Sequence, residues 1–137
     1  MSDREEICEV MSRYCWHVDH LEWAEWLDLF TLDASWRAGD FGPFVGREAM
    51  TKLTRSLEAL VKRAKGRHLV ACEIVDVAGE TARMRTYLVV AQAATKQVST
   101  LGEYEITLAR QAGRWKLQTL EFNRIEAPAA ELAAQSA

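Results

Sequence analysis

The chain has 137 residues, 49% of them hydrophobic, with 17 basic against 20 acidic side chains and a formal net charge of -3. That length and apolar content fit one domain with a core large enough to fold without metal or disulfide staples. No stretch concentrates the positive charge that a phosphate backbone demands, which argues against nucleic acid, and no apolar run approaches the length that spans a bilayer, which argues against a membrane partner.

Ser2, with Glu5 three residues later, reads as a capping box, and Ile7, Val10, Met11, Tyr14, Cys15 and Val18 then recur at helical spacing. A first helix is predicted, ending near Asp19. Its opening residues, Met1 to Glu6, hold no apolar signal core, and Cys8, Cys15 and Cys72 are an odd set without CxxC spacing, so reduced thiols and a cytoplasmic location are expected. Trp23, Trp26, Leu27 and Phe30 predict a second helix of about three turns after a tight corner at 19–21. Leu32 to Arg37 reads as a strand, and Gly39-Asp40-Phe41-Gly42-Pro43 as a loop. Met50, Leu53, Leu57, Leu60 and Val61 predict a third helix, stopped by Lys62, Arg63, Lys65 and a Gly66 cap.

Everything after Gly66 alternates at strand spacing. Arg67 to Val77, Thr81 to Ala93, Ser99 to Arg110 and Arg114 to Ile125, with glycine turns at Gly79 after the first and Gly113 after the third, predict a four-stranded antiparallel meander. Trp115 and Leu117 share one alternation phase while Leu120 and Phe122 share the other, which predicts a bulge near Gln118 that would curve the sheet. Helices first and strands afterwards is the ordering of an α+β fold. The alanine-rich segment 127–137 has little to bury and reads as a tail following a domain of residues 1–126.

Three strings in the first half, Arg13-Tyr14-Cys15-Trp16-His17-Val18-Asp19, Leu29-Phe30-Thr31-Leu32-Asp33-Ala34-Ser35-Trp36 and Gly46-Arg47-Glu48-Ala49-Met50, resemble the opening half of SnoaL-like proteins of the nuclear-transport-factor-2-like superfamily. Arg67-His68, Gly102-Glu103-Tyr104 and Gly113-Arg114-Trp115-Lys116-Leu117 extend the likeness through the meander. The resemblance implies three helices packed on a strongly curved antiparallel sheet, a cone-shaped, cystatin-like roll enclosing a pocket. It also sets Asp19 and His68 at positions similar to the aspartate and histidine of scytalone dehydratase, bile acid dehydratase and hexachlorocyclohexane dehydrochlorinase, which all eliminate a group beside an acidified C–H. Tyr14 matches the tyrosine of the bile acid enzyme. The departures are equally plain: the dehydrochlorinase has a lysine in place of Tyr14 and an arginine near Leu120, and neither the second histidine of scytalone dehydratase nor the second aspartate of the bile acid enzyme has a counterpart around Tyr87 to Ala91. Substrate and leaving group are therefore not inherited.

The dyad that this likeness implies would use His68 as base and Asp19 to fix its tautomer, with Tyr14 stabilising charge on oxygen. A histidine bonded to a backbone carbonyl, an aspartate at a helix corner and a tyrosine that simply packs are the plainer readings of the same residues. Trp36, Phe41 and Phe44, with Leu53, Leu57 and Tyr104, are the candidate lining for a flat, hydrophobic substrate. His17 and His20 stand three apart but lack companion ligands, and no phosphate loop or nucleotide fingerprint occurs, so neither metal nor cofactor is expected. The resulting expectation is a cofactor-independent lyase or isomerase acting on a small hydrophobic, cyclic or aromatic compound. A non-catalytic binding or assembly module and a polyketide cyclase are the alternatives. A homodimer through the outer sheet face is also expected, because alternation turns Leu69, Ala71, Val75, Tyr87 and Val89 away from His68.

Overall fold

The computed structural model describes residues 1–126, so the tail expected at 127–137 lies outside the described residues. Helices α1 (Asp3–Asp19), α2 (Trp23–Asp28) and α3 (Gly46–Ala64) accompany strands β1 (Phe30–Ala38), β2 (Phe41–Val45), β3 (Gly66–Ala78), β4 (Thr81–Gln92), β5 (Val98–Gln111) and β6 (Arg114–Arg124). The strands form one six-stranded sheet in the order β2-β1-β6-β5-β4-β3. Its two edges, β2 and β3, do not meet, so the sheet is curved but unclosed. The architecture is α+β, as the ordering of elements requires.

α1 forms as its stripe dictates. Ser2 accepts the Glu5 N–H at 3.1 Å, and the buried residues are Ile7, Val10, Met11, Tyr14, Cys15 and Val18. Asp3 anchors this end of the helix to the sheet by accepting from Arg110 and, at 3.1 Å, from the Trp115 indole. α2 is much shorter than three turns: only six residues are helical, and Phe30 belongs to β1. The reason is competition from the sheet, because the Leu117 N–H reaches the Leu29 carbonyl at 2.8 Å and Phe30 pairs with Leu117. That pairing is parallel, which makes the sheet mixed rather than wholly antiparallel. The segment expected as a loop contains a strand, β2, which folds back on β1 with Trp36 opposite Phe44. α3 ends in a left-handed residue, but this is Lys65 (φ 49°), and Gly66 already opens β3.

The meander falls within a residue or two of its expected bounds. Ala112 and Gly113 both take positive φ and make the two-residue turn between β5 and β6, the conformation whose twist suits a tight hairpin. The bulge stands at Gln118: pairing with β5 jumps from Thr107↔Thr119 to Leu108↔Leu117. It lets Trp115 and Leu117 share the buried face with Leu120 and Phe122 despite their opposite phases. A second bulge in β3 sets Cys72 and Glu73 between the Ala71↔Tyr87 and Ile74↔Arg85 pairs, with Cys72 at φ 62°. It reverses the phase beyond Ala71, so Val75 points inward against the core and Ile74 takes the outward place expected for Val75.

Candidate functional site

Asp19 is the last residue of α1, and His68 is the third residue of β3, which lies against that helix. The two side chains meet. His68 Nδ1 lies 2.6 Å from Asp19 Oδ1, and the His68 backbone N–H donates to the same carboxylate, 3.0 Å from Oδ2. The Asp19 side chain is 5% exposed and that of His68 20%, so the contact is screened from water while the imidazole keeps an open side. A carboxylate only accepts, so its partner Nδ1 carries the proton and Nε2 is the basic nitrogen of the neutral ring. Nε2 makes no hydrogen bond among the described residues.

His68 lines a cleft of about 230 Å³ between α3 and the sheet. Leu57, Leu60, Val61 and Ala64 form the helical wall, with Val18 and Val90 continuing the apolar surface. This explains why the apolar stripe of α3 is fully buried only at Met50 and Leu53 and leaves Leu60 exposed: its second half faces the cleft instead of the sheet. The opposite end is polar, with Gln92, Ser99, Thr100 and Arg124.

Of the six residues expected to line a pocket, Leu57 is in this cleft. Leu53 is wholly buried in the core. Trp36, Phe41 and Phe44 form an aromatic cluster of their own on the β1–β2 hairpin, with ring centroids 5.0 to 6.3 Å apart. Tyr104 is buried, with its Oη 3.5 Å from that of Tyr14. Tyr14 sits in the core behind the cleft, where its oxygen accepts the Trp36 indole N–H at 2.9 Å. Burial raises the Tyr14 and Tyr104 phenols above their ordinary value and pushes the Cys15 thiol up to about 12, so all three stay protonated at neutral pH. Tyr14 can donate a hydrogen bond but not serve as a base.

His17 and His20 do not converge: His17 Nδ1 meets Glu22 at 3.0 Å, while His20 stacks on Trp16 and contacts its carbonyl at 2.7 Å. Among the described residues no three His, Cys, Asp or Glu side chains gather where a metal ion would fit. Nor is any helix among the described residues long and apolar enough to cross a membrane. Sequence reasoning missed Gln92, Thr100 and Arg124. The available signal was the inward phase of each strand continued past its last apolar residue, from Tyr104 back through Gly102 to Thr100 and from Phe122 on to Arg124.

A sheet that curls around helices, with an Asp–His pair at the wall of a cleft, defines a cystatin-like roll. The chain belongs to the SnoaL-like domain family, whose model matches residues 1–121. Among solved structures, a nuclear-transport-factor-2-like protein with a cystatin-like fold from Novosphingobium aromaticivorans superposes with a TM-score of 0.82 at 25% identity, covering 96% of this chain and 87% of that one. A candidate scytalone dehydratase from the same organism gives 0.77 at 21% identity over 90% of this chain and 85% of its own. ActVI-ORFA from Streptomyces coelicolor gives 0.75 at 18%, over 90% and 98%. At 21% and 18% identity the likeness establishes the fold alone. No curated protein sequence matches the chain.

Proposed function

We propose that the protein is a cofactor-independent lyase or isomerase of the dehydratase type, acting on a small hydrophobic, cyclic or aromatic compound. The observation that carries this reading is the His68–Asp19 contact of 2.6 Å at the wall of the cleft. His68 Nε2 takes a proton from a carbon made acidic by a neighbouring carbonyl, and the electron pair moves onto that carbonyl oxygen. The imidazolium then returns the proton to a departing hydroxyl, which leaves as water, or to another carbon, which moves the double bond. Asp19 holds the ring and stabilises its charged form. In this reading Tyr14, whose oxygen already accepts from Trp36, uses its own O–H to donate a hydrogen bond to the substrate oxygen on which charge develops.

One observation favours binding without turnover: Tyr14 is not at the cleft surface, which leaves His68 with few polar neighbours. Turnover decides between the two. Purified protein is screened against hydroxy-ketones and dienones for an absorbance change, with His68→Gln, Asp19→Asn and the double variant alongside. Each single change is expected to lower kcat by roughly two orders of magnitude or more, the double variant being little worse than His68→Gln. Unchanged turnover with a lower Tm in His68→Gln would make the histidine structural. Additive losses would give Asp19 a separate role.

A further inference from the structure

We infer that the compound held in this cleft is an amphipathic carboxylate, its apolar body against α3 and its carboxylate gripped by Arg124 at the polar end. The inference rests on the reading of His68 as the base of the same cleft and adds the substrate's charge.

Register lays out the geometry. His68 pairs with Val90 and Val90 with Thr100, so the three form one row across β3, β4 and β5. In the neighbouring row Leu88 pairs with Gly102 and Gly102 with Arg124. His68, Thr100 and Arg124 all line the cleft. With strands about 4.8 Å apart, the row separates the backbones of His68 and Thr100 by roughly 10 Å, and Arg124 lies one strand further. Once the long Arg124 side chain reaches in, the gap between imidazole and guanidinium fits a body of one or two rings.

Gly102 seats the Phe122 ring beside that end. A Cβ there would stand 2.4 Å from the Phe122 ring, so the ring lies over the glycine backbone and Arg124 follows it on the same strand face.

The charge balance selects the ligand. On a chain of net charge -3, the cleft lining carries Arg124 and, among the described residues, no carboxylate. Asp19 stands behind His68, its oxygens occupied by the two His68 donors. Among the described residues the single ion pair of Arg124 is a 3.8 Å contact with an exposed Glu126, weak enough for a ligand to displace. The Thr100 hydroxyl has no hydrogen-bond partner among the described residues. A planar guanidinium with two parallel N–H groups matches a carboxylate, and a hydroxyl beside it supplies a further donor.

The test compares 2-naphthoate with its neutral isostere 2-naphthamide by calorimetric titration at pH 8. The wild-type protein is expected to bind the carboxylate about tenfold more tightly or better, Arg124→Gln to bring the two ligands within about threefold, and Arg124→Lys to keep an intermediate preference. His68→Gln should leave the preference intact, which separates this claim from the catalytic one: loss of turnover tests the base, and loss of discrimination tests the anchor. Equal binding of both ligands by wild type, or no binding of either at millimolar concentration, overturns the inference. So does a preference that survives Arg124→Gln but disappears in His68→Gln. Circular dichroism should show each variant folded, since Arg124 is largely exposed.

Discussion

Tyr14, Cys15 and Asp19 occupy one side of α1 within five residues, and their surroundings divide them between core and cleft. Tyr14 accepts the buried Trp36 N–H, so Tyr14→Phe strands that donor and should cost about 1–3 kcal/mol of stability by denaturant titration. If Tyr14 also donates to substrate, kcat falls by more than the stability loss explains; an unchanged kcat would confine the residue to packing. Cys15 reaches about 12 from an ordinary 9.0, through burial first and then the Asp19 carboxylate. Its folded pKa is raised, so its contribution to stability is fully present below the unfolded value and is lost as pH rises through 9 toward 12, where the unfolded chain sheds protons that the folded one keeps. Tyr14 and Tyr104, both raised by burial, add to the same loss above pH 10. Tm should therefore fall between pH 9 and 11, and Cys15→Ala, though less stable throughout, should show a shallower fall. An alkaline slope that is the same in that variant would remove Cys15 from the account.

At the scale of elements, β5 and β6 depend on Gly102, whose missing side chain admits the Phe122 ring; an added Cβ would also stand 2.5 Å from the Asn123 carbonyl. Gly102→Ala is expected to destabilise by about 1–3 kcal/mol through overpacking, and Phe122→Leu in the same chain should restore part of the loss in thermal melts. A neutral Gly102→Ala would show that the strand ends give way freely. These elements were legible where one local pattern decided them. The α1 stripe named its six buried residues, and the reversal of phase between Leu117 and Leu120 located the Gln118 bulge. The reading failed where a distant partner decides. Phe30 fits a helical stripe as well as a strand, and only the Leu117 N–H waiting on β6 makes it a strand residue. Glycine and proline in Phe41–Val45 spell a loop, yet pairing with β1 makes a strand. Cys72 offers no local sign that β3 bulges there. The Asp19–His68 contact, 49 residues apart in sequence, came from resemblance and not from spacing. Arg124 and Thr100 escaped because polar residues at strand ends look like solvated tips until the cleft beside them is seen.

For the molecule as a whole, the outer sheet face is the surface on which a prediction of assembly rests. Leu69 (56% exposed), Ile74 (52%), Tyr87 (47%) and Leu101 (43%) lie with Ala71 and Val89 in one band across β3, β4 and β5, with Ile74 replacing Val75. Beside the band stand Arg83 and Arg85 on β4 and Glu103 and Glu105 on β5. None of the four makes an ion pair among the described residues, although Arg85 and Glu105 are cross-strand neighbours. A face with an apolar band flanked by unpaired charges of both signs can complement itself under a two-fold axis, the arrangement that an isologous dimer requires. We predict a homodimer packed through this face, leaving the His68 cleft on the opposite side of the sheet free to bind ligand. Light scattering and sedimentation at micromolar concentration should report twice the 15.5 kDa chain mass. Leu69→Asp with Ile74→Asp should yield a folded monomer, because both side chains already face solvent in one protomer and their replacement removes no core contact. A wild-type monomer at that concentration overturns the prediction. A dimer that survives the double substitution would move the interface to the unpaired edges of β2 and β3, where backbone pairing is indifferent to which side chains face outward.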